Sequence, residues 1–184
     1  MRRSRSVDQC IGGLRVSTPS RRTVTAEPLT ATAWTPFGWL PVPDTDPADA
    51  GFTYEFAWDD AHVNVIEHSP TEIERSPSGA LVCDRFYRHD THTQVLLPLD
   101  VDPVVAVAPA AVELTSVDDL AAVRAFALHP LEGFTLFRGT WHWGPFPLGD
   151  APVRLWNVQG KRYAEDNTCA DLVARLDTTL EITR

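Results

Sequence analysis

The feature that most constrains this chain is how often it is interrupted. Fifteen prolines and ten glycines break it up, and the longest apolar run, 104–112, is itself cut by Pro109. Segments this short suit strands, which are typically about 5–6 residues long. Strand-like runs with alternating or β-branched character fall at 52–58, 62–66, 94–99, 104–108, 134–138 and 153–158. Turn-forming stretches separate them: Ser76-Pro-Ser-Gly79, 100–103 and 145–152. Thr30 is a cap for at most a short helix that stops at Pro36, and 41–51, with three prolines and three aspartates, is an exposed loop. Ser116-Val-Asp-Asp119 begins a second helical pattern, and 167–176 a third, with Leu172 and Leu176 four apart. Short helices like these cannot cover both faces of a parallel sheet. The expectation is an all-β chain with short flanking helices, closed as an antiparallel β-barrel or sandwich.

Charge and size limit what such a barrel can do. A chain of 184 residues with 43% apolar content is one globular domain. No apolar run approaches the ~20 residues of a membrane span, so no membrane partner is expected. A net charge of −9 argues against nucleic acid as a partner, because phosphate neutralisation needs a clustered basic face. The charge is uneven. Arg2, Arg3, Arg5, Arg15, Arg21 and Arg22 stand against Asp8 alone, leaving about −14 on the remainder. We therefore divide the chain into a flexible Arg-rich leader, 1–23, and a single domain, 24–184. The leader has no apolar core of a secretory signal, although its Arg and Ser content is similar to that of an organelle transit peptide. Cys10, Cys83 and Cys169 lie far apart with no paired spacing. They are expected to be three reduced thiols in a cytoplasmic protein.

Polar groups capable of chemistry gather in two segments. In 87–99, extended backbone puts His92 and Gln94 on one face, with His89 just upstream. In 137–144, Arg138, Thr140 and His142 share parity if the chain stays extended through Gly139. A barrel brings such strands together around a ligand-sized lumen. Imidazole is both the commonest metal ligand and the best acid–base group near neutral pH. His89, His92, Gln94 and His142 are therefore candidate ligands of one divalent cation with an open position. Without a metal, the same histidines form an acid–base site in which Arg88 and Arg138 supply positive charge. Glu67 and His68 would supply a further base or ligand if they face the lumen, and a solvated pair if they sit on its rim. Trp141 and Trp143 flank His142, one suited to core packing and the other to covering a substrate. Tyr87 and Thr140 complete the candidate binding residues. Lys161, Asp59-Asp60 and Asp118-Asp119 are read as surface, loop and helix-start charges.

Arg138-Gly-Thr-Trp-His142 is similar to the second half of the cupin pattern, where a Gly precedes a ligand His by three residues. His89 and Gln94 have the spacing of the first half, with an amide in place of a carboxylate. The chain resembles the ureidoglycolate lyase family, formerly called ureidoglycolate hydrolase. The match runs through Pro28-Leu-Thr-Ala-Thr-Ala-Trp-Thr-Pro-Phe-Gly38, Arg88-His89, Thr93-Gln-Val-Leu-Leu-Pro-Leu99, Val123-Arg-Ala-Phe126 and Arg138-Gly-Thr-Trp-His142. It covers about residues 27–167.

The resemblance implies a cupin-like barrel (a double-stranded β-helix), a homodimer, and a lyase of purine catabolism. That lyase would cleave a small ureido hydroxy acid to a carbonyl compound and urea. It also implies nickel or no firmly bound metal, while the residues themselves, with His92 engaged, could hold zinc, nickel or manganese. His142 or His89 would act as base or metal ligand, and Arg88 and Arg138 would hold carboxylate or ureido oxygens. The chain departs from the family at Phe137 and Trp143, where His is common. It departs again at Ile66-Glu-His-Ser-Pro70, which lacks an expected Arg, and at Gln159-Gly-Lys161. Two alternatives follow: a cupin-like lyase, isomerase or hydrolase acting on another small polar metabolite, and a non-catalytic ligand-binding cupin.

Overall fold

The computed structural model describes residues 18–43, 56–58 and 60–184. Thirteen strands are found among them: β1 (Ser20–Pro28), β2 (Gly38–Trp39), β3 (Ala61–His68), β4 (Leu81–Cys83), β5 (Arg85–Arg88), β6 (Gln94–Pro98), β7 (Pro103–Ala108), β8 (Arg124–Ala127), β9 (Phe134–Leu136), β10 (Trp141–Pro147), β11 (Val153–Gly160), β12 (Thr168–Asp171) and β13 (Thr178–Thr183). The only α-helices among the described residues are α1 (Ala31–Trp34) and α2 (Leu172–Leu176). The chain is therefore all-β with short flanking helices, as its punctuation implies. Two curled sheets make the barrel. The larger runs β12-β5-β10-β7-β8-β1-β13-β4 and the smaller β2-β9-β6-β11-β3. Pairing is antiparallel except at β1, which runs parallel to both β13 and β8.

The apolar run that begins at Val104 explains the layering. Every residue of β7 is buried, so both faces of the larger sheet are covered at its centre. Val104, Ala106 and Ala108 face a core closed by Leu81, Leu172 and Leu180. Val105 and Val107 face a second core, between the sheets, with Leu96, Phe134 and Leu155. Trp34 closes one end of this second core, with its ring edge-on to Phe126 and Phe134.

Local chemistry sets the element ends. The Thr30 hydroxyl accepts from Ala33 N at 3.2 Å, which caps α1 as expected. At Ser116–Asp119 the expected capping contacts form, with Asp119 Oδ2 accepting from the Thr115 and Ser116 amides, but they start only a 3-10 turn, Asp118–Ala122. The third helical pattern is half strand. Thr168–Asp171 pairs with β5, and the helix begins only at Leu172, capped by Asp171.

Some expectations need correction or fall outside the described residues. β1 starts at Ser20, inside the segment assigned to the leader. Residues 1–17, which include Cys10, and most of the strand expected at 52–58, with Asp59, lie outside the described residues. Cys83 is buried and free, whereas Cys169 is disulfide-bonded, so the expectation of three reduced thiols does not hold. No helix among the described residues is long and apolar enough to cross a membrane.

Candidate functional site

The second core is not filled along its whole length. Where it opens there is a cavity of about 370 Å³, near the lower end of the size range of small-molecule sites. Its floor is the apolar surface of Leu96, Val107, Leu136 and Leu155. Polar groups stand above that floor on both sheets.

From the larger sheet come Tyr87, His89, His142 and Trp143. On β5, Phe86 packs into the first core while Tyr87 turns into the cavity, and His89 follows at the strand's end with the same parity. His142 is paired across the sheet with Tyr87. Trp143, next in sequence, packs against the first core and also lines the cavity. Its ring lies 5.1 Å from Tyr87 and 5.5 Å from His68.

Three cavity imidazoles share one arrangement. His89 Nδ1–H donates to the Asp166 carbonyl at 2.5 Å, His142 Nδ1–H to the Thr140 carbonyl at 3.0 Å, and His68 Nδ1–H to the Pro145 carbonyl at 2.9 Å. A carbonyl only accepts, so each bond fixes the tautomer and leaves the Nε2 lone pair as the free function. Burial, with His89 nearby, pushes His142 down to about 3. Burial also lowers His89 and His68 from their ordinary value. Neutral imidazoles with a free Nε2 suit proton abstraction or metal ligation. The His89 and His142 rings are 5.3 Å apart, close enough to act on one small molecule.

Asp166, which the sequence reading missed, holds this arrangement together. Its carboxylate accepts from Asp90 N at 3.0 Å, Thr91 N at 2.8 Å and the Thr91 hydroxyl at 2.6 Å. It also pairs with His92 Nδ1 at 3.2 Å. Burial raises its pKa, but the bonds from Thr91 and Asp90 outweigh that and hold the carboxyl below the usual range. One residue thus fixes the whole turn 89–92. No spacing rule links 166 to 89. Its only sequence signal is an Asp placed in a turn beside Asn167, itself a cavity residue.

The smaller sheet supplies side-chain amides. Gln94 Nε2 donates to Asn157 Oδ1 at 2.9 Å, and Asn157 Nδ2 donates to Asn64 Oδ1 at 2.7 Å. Asn157 sits directly across from Asn64 in the β11–β3 register and is fully buried. Gln94 Oε1 is buried without a partner. Gln94, Asn64 and Gln159 all line the cavity. Asn64 had not been singled out, and Gln159 only as part of a departure from the family pattern. The signal was present on β3, where half-buried His62, Asn64 and His68 alternate with exposed Val63 and Val65. A strand with its polar side inward marks a polar lumen.

Several expected residues lie elsewhere. Gly139 adopts φ +76, which breaks the extended run that would have aligned Arg138 with His142. Arg138 is exposed and does not line the cavity. Thr140 is buried but donates to the Phe37 carbonyl at 3.0 Å. Trp141 belongs to the first core, with its Nε1 donating to the Val112 carbonyl. Arg88 stacks over Trp141 at 4.5 Å and pairs with Asp90 and Glu113, so it faces away from the cavity. Among the described residues, no Arg or Lys lines the cavity, so the metal-free version relying on Arg88 and Arg138 has no support. Glu67 is exposed at the cavity's edge, while His68 faces inward.

Two donor sets could take a cation. His89 and His142 line the cavity with Nδ1 committed and Nε2 free, and Gln94, another cavity residue, has an unpartnered Oε1, donor types that suit a divalent cation. His92 does not line the cavity but a neighbouring one with Thr91 and Gly160. Its ring stacks on His89 at 4.3 Å, and His89, His92 and Asp166 bring ligand atoms within 4.8 Å of one another.

A family model described as ureidoglycolate lyase matches residues 21–181. No curated protein matches the chain. Among solved structures, a dTDP sugar isomerase from Desulfovibrio desulfuricans G20 superposes with a TM-score of 0.43 at 13% identity, over 73% of this chain and 85% of that one.

Proposed function

The chain belongs to the ureidoglycolate lyase family, and we propose that its carbon–nitrogen bond cleavage takes place in the cavity between the two sheets. The observation that carries this reading is the pair of neutral imidazoles, His89 and His142, each with Nδ1 held by a backbone carbonyl. The substrate of such a lyase is a carbinolamide, with hydroxyl and ureido nitrogen on the same carbon. Nε2 of His142 takes the hydroxyl proton, and the oxygen's electron pair forms the carbonyl. The C–N pair then leaves with nitrogen, and the His142 imidazolium returns the proton to that nitrogen. From ureidoglycolate the products are glyoxylate and urea. Trp143 and Tyr87 wall the cavity beside His142 and limit access of water.

A divalent cation, nickel, zinc or manganese, would be held by His89 and His142, and when bound would polarise the substrate's oxygen. Elemental analysis separates this from the alternative set. His142→Ala loses the ion if the cavity pair holds it, and His92→Ala loses it if His89, His92 and Asp166 do. Homodimer formation rests on family membership alone and is checked by sedimentation at micromolar concentration. Cytoplasmic purine catabolism likewise rests on the family, since the disulfide at Cys169 removes the cysteine argument for it.

The test is glyoxylate release from ureidoglycolate by the folded protein. A second reading, a relative acting on another small polar metabolite, is favoured by one observation: no cationic side chain among the described residues lines the cavity to meet a carboxylate. Folded protein that releases no glyoxylate supports that second reading.

A further inference from the structure

The amide chain on the smaller sheet ends in two residues that line the cavity, Gln94 and Asn64. Asn157 is fully buried and spends its oxygen on Gln94 Nε2 and its nitrogen on Asn64 Oδ1. At one end this leaves Gln94 Oε1, an acceptor that is buried, unpartnered and inside a cavity-lining residue only 4% exposed. At the other end it leaves the Nδ2 donors of Asn64. A buried carbonyl oxygen is costly to leave unsatisfied, so its presence on a cavity-lining residue points to a ligand N–H.

The sense of binding depends on how the amides are oriented. Reversing all three together leaves the donor on Gln94 and the acceptor on Asn64, so a ligand would bind in the opposite sense; the orientation with Gln94 Oε1 free is the one found. Each amide in such a chain also polarises the next.

We propose that Gln94 and Asn64, set by Asn157, form the subsite for the ureido group of the substrate. A ureido group is a planar unit with N–H donors flanking one carbonyl acceptor. Its terminal NH₂ donates to Gln94 Oε1, and its carbonyl accepts from Asn64. Gln94 and Asn64 bind substrate, and Asn157 is a positioning residue that touches only the other two amides. This rests on the lyase reading for the identity of the substrate, not for the presence of the subsite. It leaves the imidazoles free for chemistry or for a cation, and makes Gln94 a substrate contact instead of a metal ligand.

Two unreactive ligands test it. N-carbamoylglycine carries the ureido group and carboxylate but no hydroxyl. N-acetylglycine is nearly the same shape, with CH₃ in place of the terminal NH₂. Calorimetry should show the wild-type protein binding N-carbamoylglycine about tenfold or more tightly than N-acetylglycine. Gln94→Leu should bring that ratio close to one, with N-acetylglycine affinity changed less than about threefold. Gln94→Glu, which keeps an acceptor oxygen, should retain part of the preference. If Gln94→Leu does not fold, Gln94→Met carries the same test. Equal binding of the two ligands by wild type, no binding of N-carbamoylglycine, or a preference that survives loss of the Gln94 amide overturns the proposal. A preserved preference in wild type without glyoxylate release would instead overturn the lyase reading while leaving the subsite in place.

Discussion

On the larger sheet, His89 and His142 are each tied to a backbone carbonyl. On the smaller, Gln94, Asn157 and Asn64 are tied to one another. Both sets line or support one cavity, but the anchoring differs in what it leaves free. A backbone carbonyl fixes an imidazole's tautomer without using its second nitrogen, so the ring keeps a lone pair that can take a proton. A neighbouring amide satisfies half of each side chain and leaves oriented hydrogen-bonding ends that do not titrate. One side of the cavity is therefore built to change protonation state and the other to recognise shape and polarity.

The largest effect separating the two sides is expected in His142→Ala. Loss of a positioned acid–base group costs about 10²–10⁴-fold, so kcat should fall by that factor, with N-carbamoylglycine binding little changed. Gln94→Leu should reverse that division, affecting binding more than kcat. If the two variants behave alike in both measurements, the division of labour is wrong.

Next comes Asp166→Ala. The carboxylate fixes residues 89–92 and so places its own carbonyl against His89 Nδ1. Outer-shell partners of this kind typically matter by about 10–100-fold. A drop in kcat of that size is expected, with KM nearly unchanged. A KM effect with kcat intact would place Asp166 on the recognition side.

Legibility from sequence followed the same line. Motif spacing and parity located the imidazole side, because His142 and His89 sit at fixed distances from Gly139 and Gln94 in a single local pattern. Parity failed where backbone departed from extension. Positive φ at Gly139 turned Arg138 outward, and the consecutive residues His142 and Trp143 both line the cavity, which alternation alone does not give. The all-β class was readable from the turn residues, yet β1, β12 and β13 were not, because their pairing is set by partners about 80 to 160 residues away in sequence. The amide side was invisible for the same reason. Asn157 meets Asn64 only through the β11–β3 register, and no local pattern announces it.

A smaller effect is expected from pH. Folded His142 is held down to about 3 and His92 to about 4, against roughly 6.5 when unfolded. Below about pH 6.5 the unfolded chain takes up these protons and the folded one does not. The stabilisation from neutral burial is thus complete above pH 6.5 and is lost as pH falls from there towards 3. Between pH 6.5 and 5 this amounts to roughly 1–2 kcal/mol per buried histidine. Wild type should show a clear fall in Tm over that interval, with a smaller fall in His142→Ala. Gln94→Leu, which changes no titrating group, should keep the wild-type slope. A pH-independent Tm would contradict buried neutral imidazoles.

The smallest effect belongs to Arg138→Ala. Because Arg138 is exposed and outside the cavity, kcat/KM should stay within about threefold of wild type. A loss beyond tenfold would bring Arg138 back to the substrate.

The most direct test of the central claim is nitrogen-15 NMR of the histidine rings at neutral pH. The arrangement described here predicts His89 and His142 both neutral, with protonated Nδ1 and bare Nε2, and Nε2 resonances that move when N-carbamoylglycine is added. Imidazolium rings, or neutral rings protonated at Nε2, would contradict it.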